Sequence, residues 1–352
     1  MSFLIQENVL LARLTTLKIG GEARFFVRAE GEKDVVKALK FAAENDLNVF
    51  ILGGGSNVLI ADEGFDGLVL QIAFKGISVA EENDAVLVTA TAGEDWDEFV
   101  AFCVSRNLQG VECLSGIPGF VGGTPVQNVG AYGQEVSETI EAVKVLERGT
   151  GEIFEMNSVD CGFSYRTSIF NTTKKNRFVV LAVTFQLKPN GTPKIIYKDL
   201  REFFGNQLPT LQETRAAVLK IRATKSMVID ERDPNSKSAG SFFKNPIVDI
   251  EKFAEIERRA KESEIGKVPN FAVDDKNVKI PAAWLIENAG FCKGYKFGNV
   301  GISTKHTLAI VNLGNAAAKD VLDFKSEIQI KVKEKFDIDL KPEPVFVGFR
   351  ES

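Results

Sequence analysis

The segment N-V-F-I-L-G-G-G-S-N-V-L-I, residues 48–60, places a short apolar run directly before three glycines. A strand at 23–28 and a helical stretch capped by Asp34 precede it, so the order predicts a β-α-β unit. Because glycine has no Cβ, the backbone N–H groups after the run can point into one common space. A concave set of donors of this kind suits a phosphate, and a tight surface turn is the alternative.

A second glycine-rich segment, G-I-P-G-F-V-G-G-T-P-V-Q-N-V-G-A-Y-G, spans residues 116–133. It has too few side chains to be held together by burial alone, which favours packing against a flat or highly polar cofactor. A structural Ω-loop is the alternative. Neither segment is a G-x-G-x-x-G or Walker loop, so those mechanisms are not predicted. Because both segments lie at strand ends, together they favour a large phosphate-bearing cofactor.

Composition excludes several classes of protein. The chain has 352 residues, a net charge of −5 and a single histidine, His306. At roughly 150 residues per domain, two or three domains are expected. The acidic balance is unfavourable for a general nucleic-acid binder. One histidine excludes sites that need paired histidines, and a Ser-His-Asp triad would have to use His306.

Cysteine usage and apolar runs bear on the location of the protein. The four cysteines form no C-x-x-C pair and are typical of reduced, mostly buried thiols in a cytosolic protein. The first residues lack the basic start of a signal peptide. The strongest apolar run, Phe178–Phe185, is too short to cross a membrane and predicts a buried strand.

The element pattern changes twice along the chain. Short strands, a helix near 94–106, a hairpin with its turn at Gly149–Gly151 and a strand at 178–187 predict a region of mainly antiparallel strands. A helix at 211–222 precedes a polar linker at 231–238. The third part has predicted helices at 251–262, at 281–288 with Pro281 as first helical residue and at 316–336, and strands at 279–280 and 307–311.

The two glycine-rich segments resemble the flavin-binding signature of the UDP-N-acetylenolpyruvoylglucosamine reductase (MurB) family. The resemblance continues in family order through further motifs and covers essentially the whole chain: C-G-F-S-Y-R-T-S-I-F (161–170), Y-K-D-L (197–200), S-A-G-S-F-F-K-N-P (238–246), A-G-F-C-K-G (289–294) and L-K-P-E-P (340–344). The Y-K-D-L segment resembles the subgroup with a tyrosine-bearing substrate loop.

The resemblance implies an α+β fold class: a two-part FAD-binding region of the PCMH/vanillyl-alcohol-oxidase-like type and a C-terminal α+β substrate-binding domain. Residues 1–75 would be the first FAD-binding subdomain, 76–225 the second and 226–352 the substrate domain, with the end of the chain a candidate to pack back on the FAD region. It also implies a cytoplasmic bacterial enzyme of peptidoglycan synthesis, with non-covalent FAD, NADPH as reductant and UDP-N-acetylenolpyruvoylglucosamine as substrate. No metal, nucleic acid, membrane or obligate protein partner is implied.

Three residues match the family's catalytic positions. Arg166 would face the charge that develops on the substrate carboxylate, because its planar fork suits that group. Ser241 would donate the proton to the α-carbon, and Glu343 would stabilise the intermediate or orient the acid. From residue type alone, each has an ordinary structural alternative: a paired arginine, a loop serine and a solvated turn glutamate.

The remaining matched positions divide into two sets. The cofactor-binding set is Gly53, Gly54, Gly55, Ser56, Asn57, Val58, Gly116, Ile117, Pro118, Gly122, Gly123, Gln127, Asn128, Gly130, Ala131, Tyr132 and Arg222. The substrate-binding set is Tyr165, Tyr197, Lys225, Asn245 and His306. For His306, the uridine end of the substrate and a structural role are both open.

Two departures from the family pattern and two alternative functions remain. Thr15 stands where the family usually has asparagine, and the stretch between Lys225 and Ser241 is longer than in some members. One alternative is another FAD-dependent oxidoreductase of the same fold acting on a sugar or alcohol. Many of those attach flavin covalently, and no histidine lies in either glycine-rich segment. The other is a non-catalytic nucleotide-sugar or flavin binder, which has no need of Arg166, Ser241 and Glu343 together.

Overall fold

A computed structural model describes residues 3–349, and the chain folds into two units. Of the described residues, unit 1 holds 3–9, 23–55 and 65–228. Unit 2 holds 10–22, 56–64 and 229–349. The predicted division into three domains at residues 75 and 225 stays a prediction.

The regular elements within residues 3–349 are as follows. The α-helices are α1 (Glu32–Glu44), α2 (Trp96–Ser105), α3 (Lys198–Phe204), α4 (Leu211–Thr224), α5 (Ile250–Glu262), α6 (Ala282–Asn288) and α7 (Ala318–Phe336). The strands are β1 (Gln6–Leu10), β2 (Glu22–Ala29), β3 (Val49–Leu52), β4 (Val58–Ile60), β5 (Phe65–Ile72), β6 (Ile77–Glu82), β7 (Ala85–Thr91), β8 (Leu108–Gln109), β9 (Gly130–Ala131), β10 (Gln134–Glu135), β11 (Ile140–Glu147), β12 (Ile153–Asn157), β13 (Phe178–Pro189), β14 (Ile247–Asp249), β15 (Phe271–Ala272), β16 (Asn277–Lys279), β17 (Lys296–Phe297), β18 (Val300–Ile302), β19 (Ile310–Asn312) and β20 (Val345–Val347). Short 3₁₀ turns cover Leu11–Leu14, Glu112–Leu114, Val121–Gly123, Val136–Glu138, Val159–Cys161, Ile169–Asn171 and Pro234–Ser236.

The first sheet of unit 1 has the strand order β1-β2-β5-β3, and β5 pairs in parallel with both β2 and β3. Helix α1 crosses over between β2 and β3, which confirms the predicted β-α-β unit. The predicted cap at Asp34 is wrong. Helix α1 begins at Glu32, and its N-cap is Gly31. Asp34 lies in the first turn, where its carboxylate accepts a hydrogen bond from the backbone N–H of Glu30, a residue that precedes the helix.

The second sheet of unit 1 is antiparallel, with the order β12-β11-β13-β7-β6. The predicted hairpin is β11–β12, and the apolar run at Phe178–Phe185 forms the central strand β13, which confirms the predicted buried strand. Helix α2 packs against this strand through Phe99, whose ring centroid lies 4.8 Å from that of Phe185. Val121 of the 116–133 segment lies in the same buried apolar cluster as Phe99 and Phe185, so this segment packs on the sheet and α2.

Unit 2 combines distant parts of the chain in one core. Strand β4 pairs in parallel with β20, so Val58 lies opposite Val345. Leu17 and Leu59 lie in the same apolar cluster as Phe324 of α7. The Asp62 carboxylate accepts hydrogen bonds from the backbone N–H groups of Ala318 (2.7 Å) and Lys319 (3.1 Å) at the start of α7.

The rest of unit 2 consists of two small sheets and three helices. The sheets have the orders β14-β16-β15 and β17-β18-β19. Helices α5, α6 and α7 confirm the three predicted helices, although Pro281 is the N-cap of α6 and not its first residue. The strand predicted at 307–311 is wrong at its start: β19 begins at Ile310, and residues 303–309 form a hydrogen-bonded turn.

Candidate active site

The predicted site residues fall into both units. Unit 1 contains Gly53, Gly54, Gly55, Gly116, Ile117, Pro118, Gly122, Gly123, Gln127, Asn128, Gly130, Ala131, Tyr132, Tyr165, Arg166, Tyr197, Arg222 and Lys225. Unit 2 contains Ser56, Asn57, Val58, Ser241, Asn245, His306 and Glu343. The 53–58 loop thus begins in one unit and ends in the other.

The two glycine-rich segments meet inside unit 1. A Cβ placed on Gly54 would lie 2.7 Å from the Cα of Gly119, so the two backbones approach more closely than any side chain would allow. Gly55 and Gly119 have φ values of +65° and +126°, which glycine adopts at low cost. A Cβ on Gly123 would meet no atom within 4 Å. These glycines form the side-chain-free cradle that the sequence predicts.

Buried polar groups beside this cradle fit an absent cofactor. Arg222 is 6% exposed, its Nη2 donates to the carbonyl of Met227 (2.7 Å), and its Nε has no hydrogen-bond partner. Burial lowers the pKa of this guanidinium, and the nearby Tyr132 hydroxyl and Asp97 carboxylate oppose that effect. The Oε1 of buried Gln71 also lacks a partner, while its Nε2 donates to the carbonyl of Gly53 (3.3 Å). Because buried polar atoms are rarely left unpaired, this donor and this acceptor fit a polar ligand at the cradle.

Asp97, which the sequence analysis did not single out, fixes the start of the second glycine segment. Its carboxylate accepts from the backbone N–H of Gly116 (2.6 Å) and from Arg215 (2.5 and 2.8 Å). Burial alone would raise the pKa of Asp97, but the hydrogen bonds from Arg215 and Gly116 bring it below its usual value. In the sequence, Asp97 could be described only as an acidic residue in the first turn of a helix. Many such residues bind no neighbouring loop, so this position did not predict the contact with Gly116.

Arg166 is held in a strained conformation. Its φ is +54°, in the left-handed region that costs a non-glycine residue about 1–3 kcal/mol. Its Nη2 donates to the carbonyl of Gly130 (2.5 Å) and its Nη1 to that of Asn128 (3.4 Å). Asn128 has φ +44° and donates through Nδ2 to Glu135 and to the Ser164 carbonyl. Strain of this kind, held by surrounding contacts, is typical of functional sites.

The structure brings a predicted cofactor residue together with predicted substrate residues. The rings of Tyr132 and Tyr197 meet edge to face with centroids 5.3 Å apart. The Lys225 ammonium lies 5.9 Å from the Tyr132 ring and 2.5 Å from the carboxylate of Asp199. Burial raises the pKa of both tyrosines, so both stay neutral at physiological pH. Asp199, the third residue of Y-K-D-L, is therefore the partner of Lys225.

A buried carboxylate organises the loop that leads to Tyr197. Glu112 is fully buried and accepts from the backbone N–H of Gly110 (2.8 Å), the side chain of Gln134 (2.8 Å) and the backbone N–H of Lys194 (3.3 Å). Sequence reasoning missed Glu112, since its partners lie up to 82 residues away.

In unit 2, the structure brings Ser241, Glu343 and His306 together. The backbone N–H of Glu343 donates to the carbonyl of Phe242 (2.9 Å), and that of Phe242 donates to the carbonyl of Leu308 (2.7 Å). The Ser241 Oγ lies 3.4 Å from Nε2 of His306. The segment at Ser241–Phe242, which belongs to none of the named strands, therefore runs between the segments of the other two residues.

The other predicted residues of unit 2 have local contacts. Asn57 donates through Nδ2 to the carbonyl of Glu343 (3.3 Å), which joins the phosphate loop to the L-K-P-E-P motif. The Asn245 side-chain oxygen accepts from the backbone N–H of Ala282 at the start of α6 (2.8 Å). Thr15, the departure from the family pattern, is buried and donates to the carbonyl of Ile19 (3.3 Å).

Three further observations concern the described chain as a whole. In residues 3–349, no three His, Cys, Asp or Glu side chains come together as a metal-binding group. Over the same range, none of the helices combines the length and apolar character needed to cross a bilayer.

Cys103, Cys113 and Cys161 are buried thiols and Cys292 is exposed, as predicted for mostly buried cysteines. Burial raises the pKa of Cys103 and of Cys161 to about 12, so both are unreactive thiols.

Comparisons with known proteins agree with this geometry. The family profile described as "FAD binding domain" matches residues 23–157, and the profile described as "UDP-N-acetylenolpyruvoylglucosamine reductase, C-terminal domain" matches residues 233–347. The chain is 44% identical over 350 residues to a UDP-N-acetylenolpyruvoylglucosamine reductase of Thermobifida fusca, covering 97% of this chain and 98% of the relative. It is 44% identical over 348 residues to the enzyme of that name from Salinispora arenicola, covering 96% and 94%.

A solved structure is also similar. The crystal structure of the UDP-N-acetylenolpyruvylglucosamine reductase from Thermus caldophilus is 26% identical in sequence, with a TM-score of 0.66. The alignment covers 98% of this chain and 100% of that chain.

Proposed function

The chain belongs to the UDP-N-acetylenolpyruvoylglucosamine reductase family, and we propose that it reduces the enolpyruvyl ether on UDP-N-acetylglucosamine to the lactyl ether of UDP-N-acetylmuramate. This product is a precursor of peptidoglycan. The length of the match is the observation that carries the proposal. It extends over nearly all of this chain and of its relatives, and so over every motif that bears a candidate catalytic residue.

FAD is the cofactor, and we propose that Gly53–Asn57 hold its phosphates and that 116–132 hold its ring without a covalent bond. The close approach of Gly54 to Gly119 and the unpartnered Nε of Arg222 support this assignment. The chain's single histidine lies outside both segments, so the usual histidyl attachment has no residue there. Bound FAD would supply hydride transfer, with NADPH as the source of the hydride and the β-carbon of the enolpyruvyl group as its acceptor.

Arg166 would bind the substrate carboxylate and stabilise the negative charge that develops there. Its contacts with the carbonyls of Gly130 and Asn128 support this role, because they hold the guanidinium in one orientation before substrate arrives. A preorganised cation is worth more than a mobile one, since it needs no reorganisation when the charge forms. The delocalised fork also matches a carboxylate better than an ammonium does.

Ser241 would protonate the α-carbon, and Glu343 would orient the serine or stabilise the intermediate. A hydroxyl is a weak acid, but an enolate carbon is a strong base, so the transfer is feasible if the developing alkoxide is stabilised. The backbone contact between Glu343 and Phe242, next to Ser241, supports a shared role.

The substrate's diphosphate and sugar need further donors. Tyr197 and Lys225 would bind the diphosphate, and their proximity to Tyr132 supports a place where substrate and cofactor sides meet. Asn245 and Tyr165 are proposed as additional substrate contacts. We propose a cytoplasmic location, where NADPH, UDP-sugars and reduced thiols are found.

Flavin content and turnover test the proposal together. We expect the purified protein to be yellow, to release FAD into solution on acid precipitation and to oxidise NADPH faster when UDP-N-acetylenolpyruvoylglucosamine is added. A protein that binds FAD without this acceleration would contradict the reductase assignment. A flavin that stays with the precipitated protein would contradict non-covalent binding.

The Ser241→Ala variant tests the proton donor separately. We expect flavin reduction by NADPH to be unchanged and reoxidation of the reduced flavin by substrate to slow by about 10²–10⁴-fold. Ser263→Ala, a change at an exposed serine at the end of α5, is the matched control and should leave both rates unchanged. Equal rates in Ser241→Ala and wild type would remove Ser241 from the mechanism.

A further inference from the structure

His306 lies next to the proposed proton donor, although the two residues are 65 positions apart in sequence. The distance from its Nε2 to the Ser241 Oγ is 3.4 Å. The backbone N–H of Phe242 donates to the carbonyl of Leu308 at 2.7 Å, so the two segments run side by side and keep both side chains in place. The approach of the imidazole to the hydroxyl is thus a consequence of backbone pairing.

The turn that carries His306 is closed by hydrogen bonds. The backbone N–H of His306 donates to the Ser303 hydroxyl (3.3 Å), and the N–H of Ala309 donates to the His306 carbonyl (3.1 Å). Ser303 is fully buried, and its hydroxyl also contacts the side-chain oxygen of Asn235 (3.1 Å). A turn held at this many points limits the imidazole to small movements of its own side chain.

The charged side chains around this turn within unit 2 have other partners. Lys305 pairs with Asp233 at 3.2 Å, and the Glu287 carboxylate of α6 accepts from the hydroxyl of Thr307. The segment of Glu343 pairs with Phe242 through the Phe242 carbonyl, whereas the segment of Leu308 pairs with it through the Phe242 N–H. The imidazole is therefore a titratable group of unit 2 that contacts the serine hydroxyl directly.

Catalysis by a serine hydroxyl leaves a chemical requirement. When the Oγ–H bond breaks and a C–H bond forms at the α-carbon, the serine is left as an alkoxide, which needs a proton before the next turnover. If the hydroxyl pointed its hydrogen at the histidine, that hydrogen would be unavailable to the substrate. A histidine that donates from Nε2 to Oγ solves both problems, because it directs the hydroxyl hydrogen away and stabilises the developing negative charge.

We propose that His306 is the positioning and proton-relay residue for Ser241, an inference that rests on the reductase reaction proposed above. Its Nε2–H donates to Oγ while Oγ–H points to the α-carbon. The relay starts from the doubly protonated imidazolium. As the serine proton moves to carbon, the Nε2 proton moves to Oγ, the imidazolium becomes neutral imidazole, and the ring takes one proton from solvent before the next turnover. The net consumption is one proton from solvent for each substrate molecule reduced, and no electrons pass through His306.

Stopped-flow measurement of the two half-reactions tests the relay. In His306→Ala we expect flavin reduction by NADPH and FAD affinity to match wild type, and reoxidation of the reduced flavin by UDP-N-acetylenolpyruvoylglucosamine to slow by about 100-fold. Added imidazole should accelerate that reoxidation in His306→Ala. Lys305→Ala, in the same turn, is the matched control and should keep both rates.

His306→Gln separates the relay from a structural role. Glutamine donates a hydrogen bond but does not titrate, so we expect it to recover part of the rate and to lose an ionisation that the wild-type pH profile of reoxidation shows. Identical reoxidation rates and pH profiles in wild type and both variants would overturn the relay while leaving the reductase function intact. A wild-type protein whose reduced flavin is never reoxidised by the substrate would instead overturn the reductase function itself.

Discussion

Arg166 combines an unfavourable backbone conformation with two hydrogen bonds to backbone carbonyls of the glycine-rich segment. A regular strand would place the side chain without strain. The left-handed conformation of Arg166, in the turn at 164–167, therefore costs conformational free energy that other contacts of the fold must offset. The result is a guanidinium whose direction is set before any ligand binds. Such a site is sensitive to the shape of the cation as well as to its charge.

Arg166→Lys should therefore impair turnover even though it retains the charge. A single ammonium is a compact point charge and cannot reproduce the planar fork that contacts the carbonyls of Gly130 and Asn128 and matches a carboxylate. We therefore expect kcat to fall by about 100-fold, the cost of losing one oxyanion donor. Steady-state kinetics gives the effect, and flavin fluorescence checks that FAD remains bound.

Arg258→Lys is the matched control, because this arginine forms an exposed ion pair with Glu262. It should leave kcat unchanged. Turnover in Arg166→Lys equal to that of wild type would contradict the proposed pairing with the substrate carboxylate.

Single residues also mark the limit of sequence reasoning about the site. Ser241, Glu343 and Arg166 could be predicted as catalytic residues because each lies in a long motif, and their roles stay predictions. The contact of His306 with Ser241 was not, because it depends on the pairing of two segments far apart in the chain. Glu112 was missed for the same reason: burial and three donors define its role, and neither leaves a local pattern.

At the scale of elements, the loop after β3 is the part of the cradle most sensitive to added volume. Gly54→Ala would place a methyl group 2.7 Å from the Cα of Gly119, and backbone atoms cannot move away as a flexible side chain can. Overpacking of this kind costs about 1–3 kcal/mol, so we expect FAD affinity to fall roughly tenfold or more. Titration of the apoprotein with FAD, followed by flavin fluorescence, measures the change.

Gly149→Ala provides the control, because a Cβ there meets no atom within 4 Å. Its FAD affinity should equal that of wild type. If Gly54→Ala bound FAD as tightly as Gly149→Ala, the close contact between the two glycine segments would not be needed for cofactor binding.

Helix α7 depends on a cap from a distant part of the sequence. The N-cap residue Ala317 makes no side-chain cap, and the Asp62 carboxylate accepts from the first two backbone N–H groups of the helix, those of Ala318 and Lys319. Asp320, in the first turn, accepts only from the N–H of Ala317. Asp62→Ala should lower the free energy of unfolding by about 1 kcal/mol, the usual value of a helix cap. Urea denaturation followed by circular dichroism gives the number.

Asp66→Ala is the comparison variant, since Asp66 is 87% exposed and forms a surface ion pair with Arg24. Surface pairs contribute little to stability. A loss in Asp62→Ala no larger than in Asp66→Ala would show that Asp62 does not stabilise α7.

Most elements were predictable from periodicity, and the exceptions have physical reasons. The long helices and β13 have clear apolar patterns, so they match the predictions within a few residues. Helix α3 was missed because its seven residues make less than two turns and no start signal precedes them, whereas α6, of the same length, follows Pro281. Strand β20 was missed because a three-residue strand has no measurable period, and its partner β4 lies far away in sequence.

At the scale of the whole molecule, the predicted α+β class with an FAD-binding region and a separate C-terminal domain is confirmed, as is the family resemblance. The sequence order did not reveal that residues 10–22 and 56–64 belong to unit 2. These segments contribute Leu17, Ile19 and Leu59 to its apolar core, and β4 to its sheet with β20. Local patterns identify a strand but not the strand it will join.

A fragment of residues 229–352 should therefore fail to fold when produced alone. It lacks three core side chains and the partner of β20, so we expect no cooperative thermal transition by circular dichroism. Production of residues 1–228 in the same cell supplies the missing segments and should restore a soluble complex. A sharp, reversible melting transition of the isolated fragment would contradict this dependence.

The pairing of β4 with β20 also determines when, during synthesis, the two strands can first meet. Residues 56–64 leave the ribosome long before Val345 has been synthesised. At roughly 5–20 residues per second, this interval is on the order of tens of seconds. Throughout it, Leu59 and its neighbours have no native partner strand, so this early segment can complete its sheet only after β20 has been translated.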